Sequence, residues 1–98
     1  MRQQPVAMVM GATSGIGFEV AQLLARRGWK VGVAGRRADI LQKMVEQTEG
    51  MEAFEVIDVT RPEATEGFHR LVEKLGGLDL YFHSSGIGYQ NTALEADK

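Results

Sequence analysis

Residues 6–17 read VAMVMGATSGIG, an apolar run of strand length that passes at once into three glycines within seven residues. Glycine loses more backbone freedom on folding than any other residue, so such a cluster needs a local reason. Either the chain must turn through positive φ, or something must approach the main chain more closely than side chains permit. The run before it, Val6 to Met10, is unbroken rather than alternating, which points to a strand covered on both faces, as in a parallel sheet. After it, Ile16, Val20, Leu23 and Leu24 recur at helical spacing, with Glu19, Gln22, Arg26 and Arg27 opposite, and Gly28 closes the segment. The chain therefore opens strand, glycine loop, helix.

That alternation continues. Val31 to Ala34 reads as a second strand, and Asp39 with Gln42 as a capping pair for a helix with the apolar face Ile40, Leu41, Met44 and Val45, ended by Gly50. Ala53 to Ile57 reads as a third strand in which Glu55 is out of place. Thr60 and Glu63 form a capping box around Pro62, opening a helix whose buried face is Ala64, Phe68, Leu71, Val72 and Leu75; Gly76 and Gly77 stop it. Leu78 to His83 is a fourth strand, and the pattern fades into a polar tail, loose over residues 89–98. Four strands alternating with three helices specify an α/β chain with a parallel sheet and right-handed crossovers.

Bulk properties narrow the function. The 98 residues suffice for one small domain. A net charge of −2 gives no electrostatic footprint for nucleic acid or an anionic membrane. No apolar run approaches the roughly 20 residues of a membrane span, and the N-terminus lacks the features of a signal peptide. With no cysteine there is no disulfide framework, which suits a cytoplasmic location.

At a first βα turn, Gly11 permits the tight turn, Gly15 lets the main chain approach a pyrophosphate, and Gly17 lets helix and strand pack closely. The helix that starts near Gly15 aims its unpaired N–H groups and positive dipole end at the phosphates. A dinucleotide is the expected ligand. A glycine-rich turn in another α/β protein, such as a methyltransferase or response-regulator-like domain, is the competing reading.

The spacing in GATSGIG, Gly11 to Gly17, resembles the cofactor loop of the short-chain dehydrogenases/reductases, whose pattern is T-G-x-x-x-G-x-G; Met10 stands where that family usually has Thr. GRR at Gly35–Arg37, DVT at Asp58–Thr60 and LDLYFHSSG at Leu78–Gly86 are similar to the family's later landmarks, in the same order. The resemblance implies a truncated doubly wound Rossmann-type fold with strand order 3-2-1-4. It also implies a cofactor site formed by Gly11, Thr13, Ser14, Gly15, Ile16, Gly17, Arg36, Arg37, Asp58, Val59, Ser84, Ser85 and Gly86. Members choose between cofactors just after the second strand. No acidic residue lies from Val31 through Ala38, whereas Arg36 and Arg37 stand together, so NADP(H) is expected over NAD(H). The plainer reading of the two arginines is a solvated surface pair. Asp58 is expected beside the adenine amino group, as a cap for the following helix, or both.

The family's N-N-A-G becomes His83-Ser84-Ser85-Gly86 here, and His83 is expected to be structural. Tyr81 is expected in the core. Family catalysis uses a Ser with a Tyr-x-x-x-Lys pair beyond the fourth strand. Neither Tyr81 nor Tyr89 has Lys four residues on, so no catalytic residue is assigned. Two readings follow. The chain is the N-terminal, NADP(H)-binding half of a reductase that moves hydride between cofactor and a carbonyl or alcohol. Alternatively, it is a naturally short nucleotide-binding or interaction module without catalysis. The first is favoured because the sequence stops mid-pattern. In either case the fourth strand is an open edge, with Leu78, Leu80 and Phe82 alternating with Asp79, Tyr81 and His83, and self-association through it is expected.

Overall fold

The computed structural model describes residues 4–13 and 15–84. The loop position Ser14, the segment Ser85–Gly86, Tyr89 and the tail over 89–98 lie outside the described residues. The element order is β1 (Val6–Met10), α1 (Gly15–Arg26), β2 (Lys30–Gly35), α2 (Ala38–Gln47), β3 (Met51–Val56), α3 (Ala64–Leu75) and β4 (Leu80–His83). The strands form one parallel sheet in the order β3-β2-β1-β4. This is the Rossmann-like α/β architecture expected from the alternating pattern.

The unbroken apolarity of β1 has a direct structural counterpart, since all five of its residues are buried. Val9 joins Val31, Val33, Leu41 and Met44 in a core beneath α1 and α2. Val6, Met8 and Met10 point the other way and pack with Leu71 and Leu75 of α3. A half-exposed strand would need polar alternation, but one sandwiched between helix layers does not. Gly32 in β2 serves the second layer, because a Cβ there would lie 2.6 Å from Leu75 Cδ1. The missing side chain is the space that α3 fills.

Several local expectations are corrected. In α1 the buried residues are Gly17, Ala21 and Ala25, while Ile16 and Leu23 are exposed. The helix sits too close to the sheet for larger side chains along its contact line, so the bulky residues flank it. Asp39 and Gln42 do not cap α2. The N-cap is Arg37, without a side-chain bond; Asp39 lies 3.8 Å from Arg37, and Gln42 Nε2 donates to Glu46. The box at Thr60 and Glu63 is also absent. Glu63 is itself the N-cap of α3, in helical conformation, and Thr60 turns back to Asp58. Tyr81 is 41% exposed rather than core: Phe68 of α3 packs on its ring edge-to-face but does not enclose it.

Glu55, out of place in the sequence, is explained by two cations on α3. Its carboxylate meets Lys74 Nζ at 2.7 Å and Arg70 Nε at 3.2 Å. Burial raises the carboxyl pKa, but the hydrogen bonds and charges of Lys74 and Arg70 outweigh it, and the net shift is downward. The sheet is closed at its other end by Asp79. Its N–H donates to the Val6 carbonyl at 2.8 Å, and its Oδ2 accepts the Val6 N–H at 2.9 Å.

Candidate cofactor site

Parallel strands with the order 3-2-1-4 reverse direction of progression between β1 and β4. Ligands of open α/β sheets bind in the crevice beyond the strand ends at such a switch point. A cleft of about 660 Å³ lies there. Gly11 and Thr13 line it after β1, Arg36 and Arg37 after β2, Asp58 to Thr60 after β3, and His83 and Ser84 at the end of β4.

Short backbone bonds gather these strand ends. The N–H groups of Gly11 and Ala12 both donate to the Ala34 carbonyl, at 2.8 and 3.0 Å, while Ser84 N–H donates to Met10 O at 2.9 Å and Ile57 N–H to Gly35 O at 2.7 Å. The glycines divide the work. Gly11 has φ +79°, and a Cβ on it would lie 2.6 Å from the Ser84 carbonyl oxygen, so the turn out of β1 must be bare to pass β4. A Cβ on Gly17 would overlap the Gly11 carbonyl oxygen, so this glycine sets the approach of α1 to the loop. Gly15 differs from both. It has φ +59°, and a Cβ on it would meet nothing within 4 Å. Its bareness leaves open space at the start of α1, a helix with no acidic residue in its first turn. That open space, beside the positive end of a helix, suits a phosphate.

Beyond β2, Arg36 and Arg37 are exposed. Arg37 leans toward Asp39, whereas Arg36 has no ion-pair partner among the described residues. Asp58 accepts from the Thr60 hydroxyl at 2.6 Å and the Thr60 N–H at 3.0 Å, with Arg61 3.9 Å away. The Thr60 hydroxyl, then its N–H, hold the Asp58 carboxyl below its ordinary pKa, with Arg36 and Arg61 adding attraction. Asp58 thus shapes the β3–α3 turn rather than capping α3, and it leaves Val59 52% exposed at the cleft.

Of the residues expected from sequence, Gly11, Thr13, Arg36, Arg37, Asp58, Val59 and Ser84 line one cleft. Gly15 and Gly17 stand at the start of α1, and Ile16 is 60% exposed outside the cleft lining. Ser14, Ser85 and Gly86 lie outside the described residues. The sequence reading missed Ile40, one helical step past the arginines, and His83, which it treated as structural. The apolar periodicity that marked Ile40 for the core gave no sign that its flank borders the cleft. Among the described residues no group of His, Cys, Asp and Glu is arranged to hold a metal ion. No described helix is long and apolar enough to cross a membrane.

Comparison with known proteins agrees with this architecture. An uncharacterized oxidoreductase of Staphylococcus saprophyticus is 33% identical over 100 aligned residues, covering 97% of this chain and 43% of that protein. The chain thus spans less than half the length of this relative. Among solved structures, a variant actinorhodin polyketide ketoreductase with NADPH superposes with a TM-score of 0.73 at 34% identity, over 83% of this chain and 33% of the other. An alcohol dehydrogenase from the archaeon Thermococcus sibiricus, complexed with 5-hydroxy-NADP, gives 0.73 at 32% identity, over 81% and 36%. The family model for short chain dehydrogenase matches residues 5–98, and with it the switch-point cleft and glycine turn have their explanation: the chain belongs to the short-chain dehydrogenase family.

Proposed function

We propose that the cleft binds NADP(H) in preference to NAD(H), and that the chain is the cofactor-binding part of an oxidoreductase that transfers hydride between NADP(H) and a carbonyl or alcohol. The observation that carries the preference is Arg36, an exposed guanidinium at the cleft with no ion-pair partner among the described residues. A guanidinium fork matches a 2′-phosphate, and no carboxylate stands from Val31 through Ala38 to repel one. The NADPH and 5-hydroxy-NADP bound by the two structural neighbours point the same way.

In this reading the bare backbone at Gly11 and Gly15 and the start of α1 take the pyrophosphate. Ser14 donates to it, Ile16 and Gly17 hold the helix start, and Thr13, Ser84, Ser85 and Gly86 border the ribose path. Arg36 takes the 2′-phosphate with Arg37 beside it, and Asp58 and Val59 flank the adenine. When bound, the dinucleotide supplies the hydride. No proton-transferring residue is assigned within these 98 residues, which contain no Tyr-x-x-x-Lys. A cytoplasmic location belongs to this reading, and the cysteine-free composition is compatible with it. The open edge of β4 is proposed to pair with a second copy of the chain.

Calorimetric titration tests the cofactor assignment. A charge-assisted hydrogen-bond pair contributes roughly 1.5–3 kcal/mol, so NADPH is expected to bind about 10- to 100-fold more tightly than NADH. Arg36→Ala should remove most of that margin. Equal affinities in the unmodified chain would overturn the preference, and no binding of either would overturn the nucleotide reading itself.

A further inference from the structure

On β4, residues two apart share a face, and Tyr81 and His83 use that spacing. The Tyr81 hydroxyl lies 3.0 Å from His83 Nδ1. Phe68 of α3 meets the Tyr81 ring edge-to-face at 5.5 Å, which holds the phenol in place. Burial raises the Tyr81 pKa, so the hydroxyl keeps its proton near neutrality and remains able to donate. With Nδ1 taken, Nε2 is the ring nitrogen left over, and it has no hydrogen-bond partner among the described residues. His83 also lines the cleft, at the strand on the far side of β1 from Arg36.

We infer that His83 is a ligand-binding residue whose Nε2–H donates to the dinucleotide, with Tyr81 as the positioning residue that fixes the tautomer. A hydroxyl donating to Nδ1 leaves the neutral imidazole with its proton on Nε2. The donor then points away from Tyr81 without the ring needing to be charged. The order of the strands says which part of the ligand it meets. Arg36 follows β2 and reads the 2′-phosphate of the adenosine half; Gly11 and Thr13 follow β1; His83 ends β4. The His83 contact therefore belongs to the half of the molecule beyond the adenosine 5′-phosphate, at the nicotinamide-side phosphate or the second ribose. This inference rests on the nucleotide reading above.

The test uses two ligands and two readouts. NADPH and adenosine 2′,5′-bisphosphate, which carries only the adenosine half, are titrated into the unmodified chain, His83→Ala and Tyr81→Phe. Ring 15N spectra are recorded in parallel, with His69, the other histidine, as internal reference. His83→Ala is expected to weaken NADPH about five- to ten-fold and to leave the bisphosphate unchanged. NADPH should move the His83 ring signals and not those of His69. Tyr81→Phe should convert the ligand-free His83 spectrum from one dominant tautomer to a mixture, with a smaller loss of NADPH affinity. Unchanged NADPH affinity in His83→Ala, with ring signals indifferent to NADPH, would overturn the inference while leaving the nucleotide reading intact. An equal loss for both ligands would overturn the placement in the far half. If the unmodified chain binds neither ligand, the nucleotide reading fails and this inference falls with it.

Discussion

Three glycines of one loop are bare for three physically different reasons, and substitution separates them. At Gly17 a methyl group would overlap the Gly11 carbonyl oxygen, which is backbone and cannot step aside. Gly17→Ala is expected to destabilise the fold by roughly 2–3 kcal/mol, the cost of overpacking a tight contact. At Gly15 the methyl would enter open space, and only the φ of +59° penalises it, by roughly 1–2 kcal/mol. Gly15→Ala should therefore unfold at higher denaturant than Gly17→Ala but still lose NADPH affinity, because its methyl occupies the space proposed for phosphate. Urea titrations beside ligand titrations read both. An equal stability loss in the two variants would contradict this division. The glycine pattern itself was plain in the sequence. The turn at Gly11 and the close packing at Gly17 were expected from it too; the atoms that enforce them were not, above all Ser84, 73 positions beyond the Gly11 it crowds.

Within elements, the sequence was most legible where burial is two-sided and least legible where termini bond locally. Unbroken apolarity located β1, and helical periodicity located α2 and α3. The capping box expected at Thr60 failed because Asx-type competition won: Asp58 captured the Thr60 hydroxyl and N–H that the box would have needed. In α1 the periodicity of large apolar residues traced a flank, while the contact line is Gly17, Ala21 and Ala25. Glu55 belongs at this scale too. Its partners on α3 are 15 and 19 residues away, invisible to any local pattern. Because its folded carboxyl titrates below the ordinary value, the Lys74 and Arg70 pairs stabilise the protein above that value. The contribution is lost as pH falls through the lower, folded value. Glu55→Gln should cost about 0.5–1 kcal/mol at neutral pH, a modest figure because both cations are half-exposed. The difference from the unmodified chain should persist down to the ordinary Glu value and shrink as pH falls below it. Denaturant melts at several pH values measure it, and a pH-independent difference would contradict the ion-pair account.

For the whole molecule, the decisive feature is asymmetry about β1. On one side stand β2, almost wholly buried, and β3, the half-buried far edge that α2 and α3 contact, while on the other β4 is itself the edge and presents Leu80 and Tyr81, 39% and 41% exposed, with no further strand beside it among the described residues. An edge of this kind offers unpaired backbone groups to another chain. Sedimentation velocity of these 98 residues should show concentration-dependent association, reduced by Leu80→Lys. A single monomeric boundary at high concentration would remove the proposal that β4 pairs with a second copy.

The clamp between Val6 and Asp79 joins positions 73 residues apart, and it carries a kinetic consequence. Of these four strands β1 is made first, yet its second neighbour is made last. Closing so long a loop carries a large entropic cost, and chains dominated by distant pairings fold slowly. The pairs β1–β2 and β2–β3 can assemble early from consecutive units, but the crevice needs both flanks of β1 and exists only once β4 has docked. Cofactor affinity should therefore be the last property acquired on refolding, appearing after helical signal has recovered, so that the ligand serves as a sensor of completed topology.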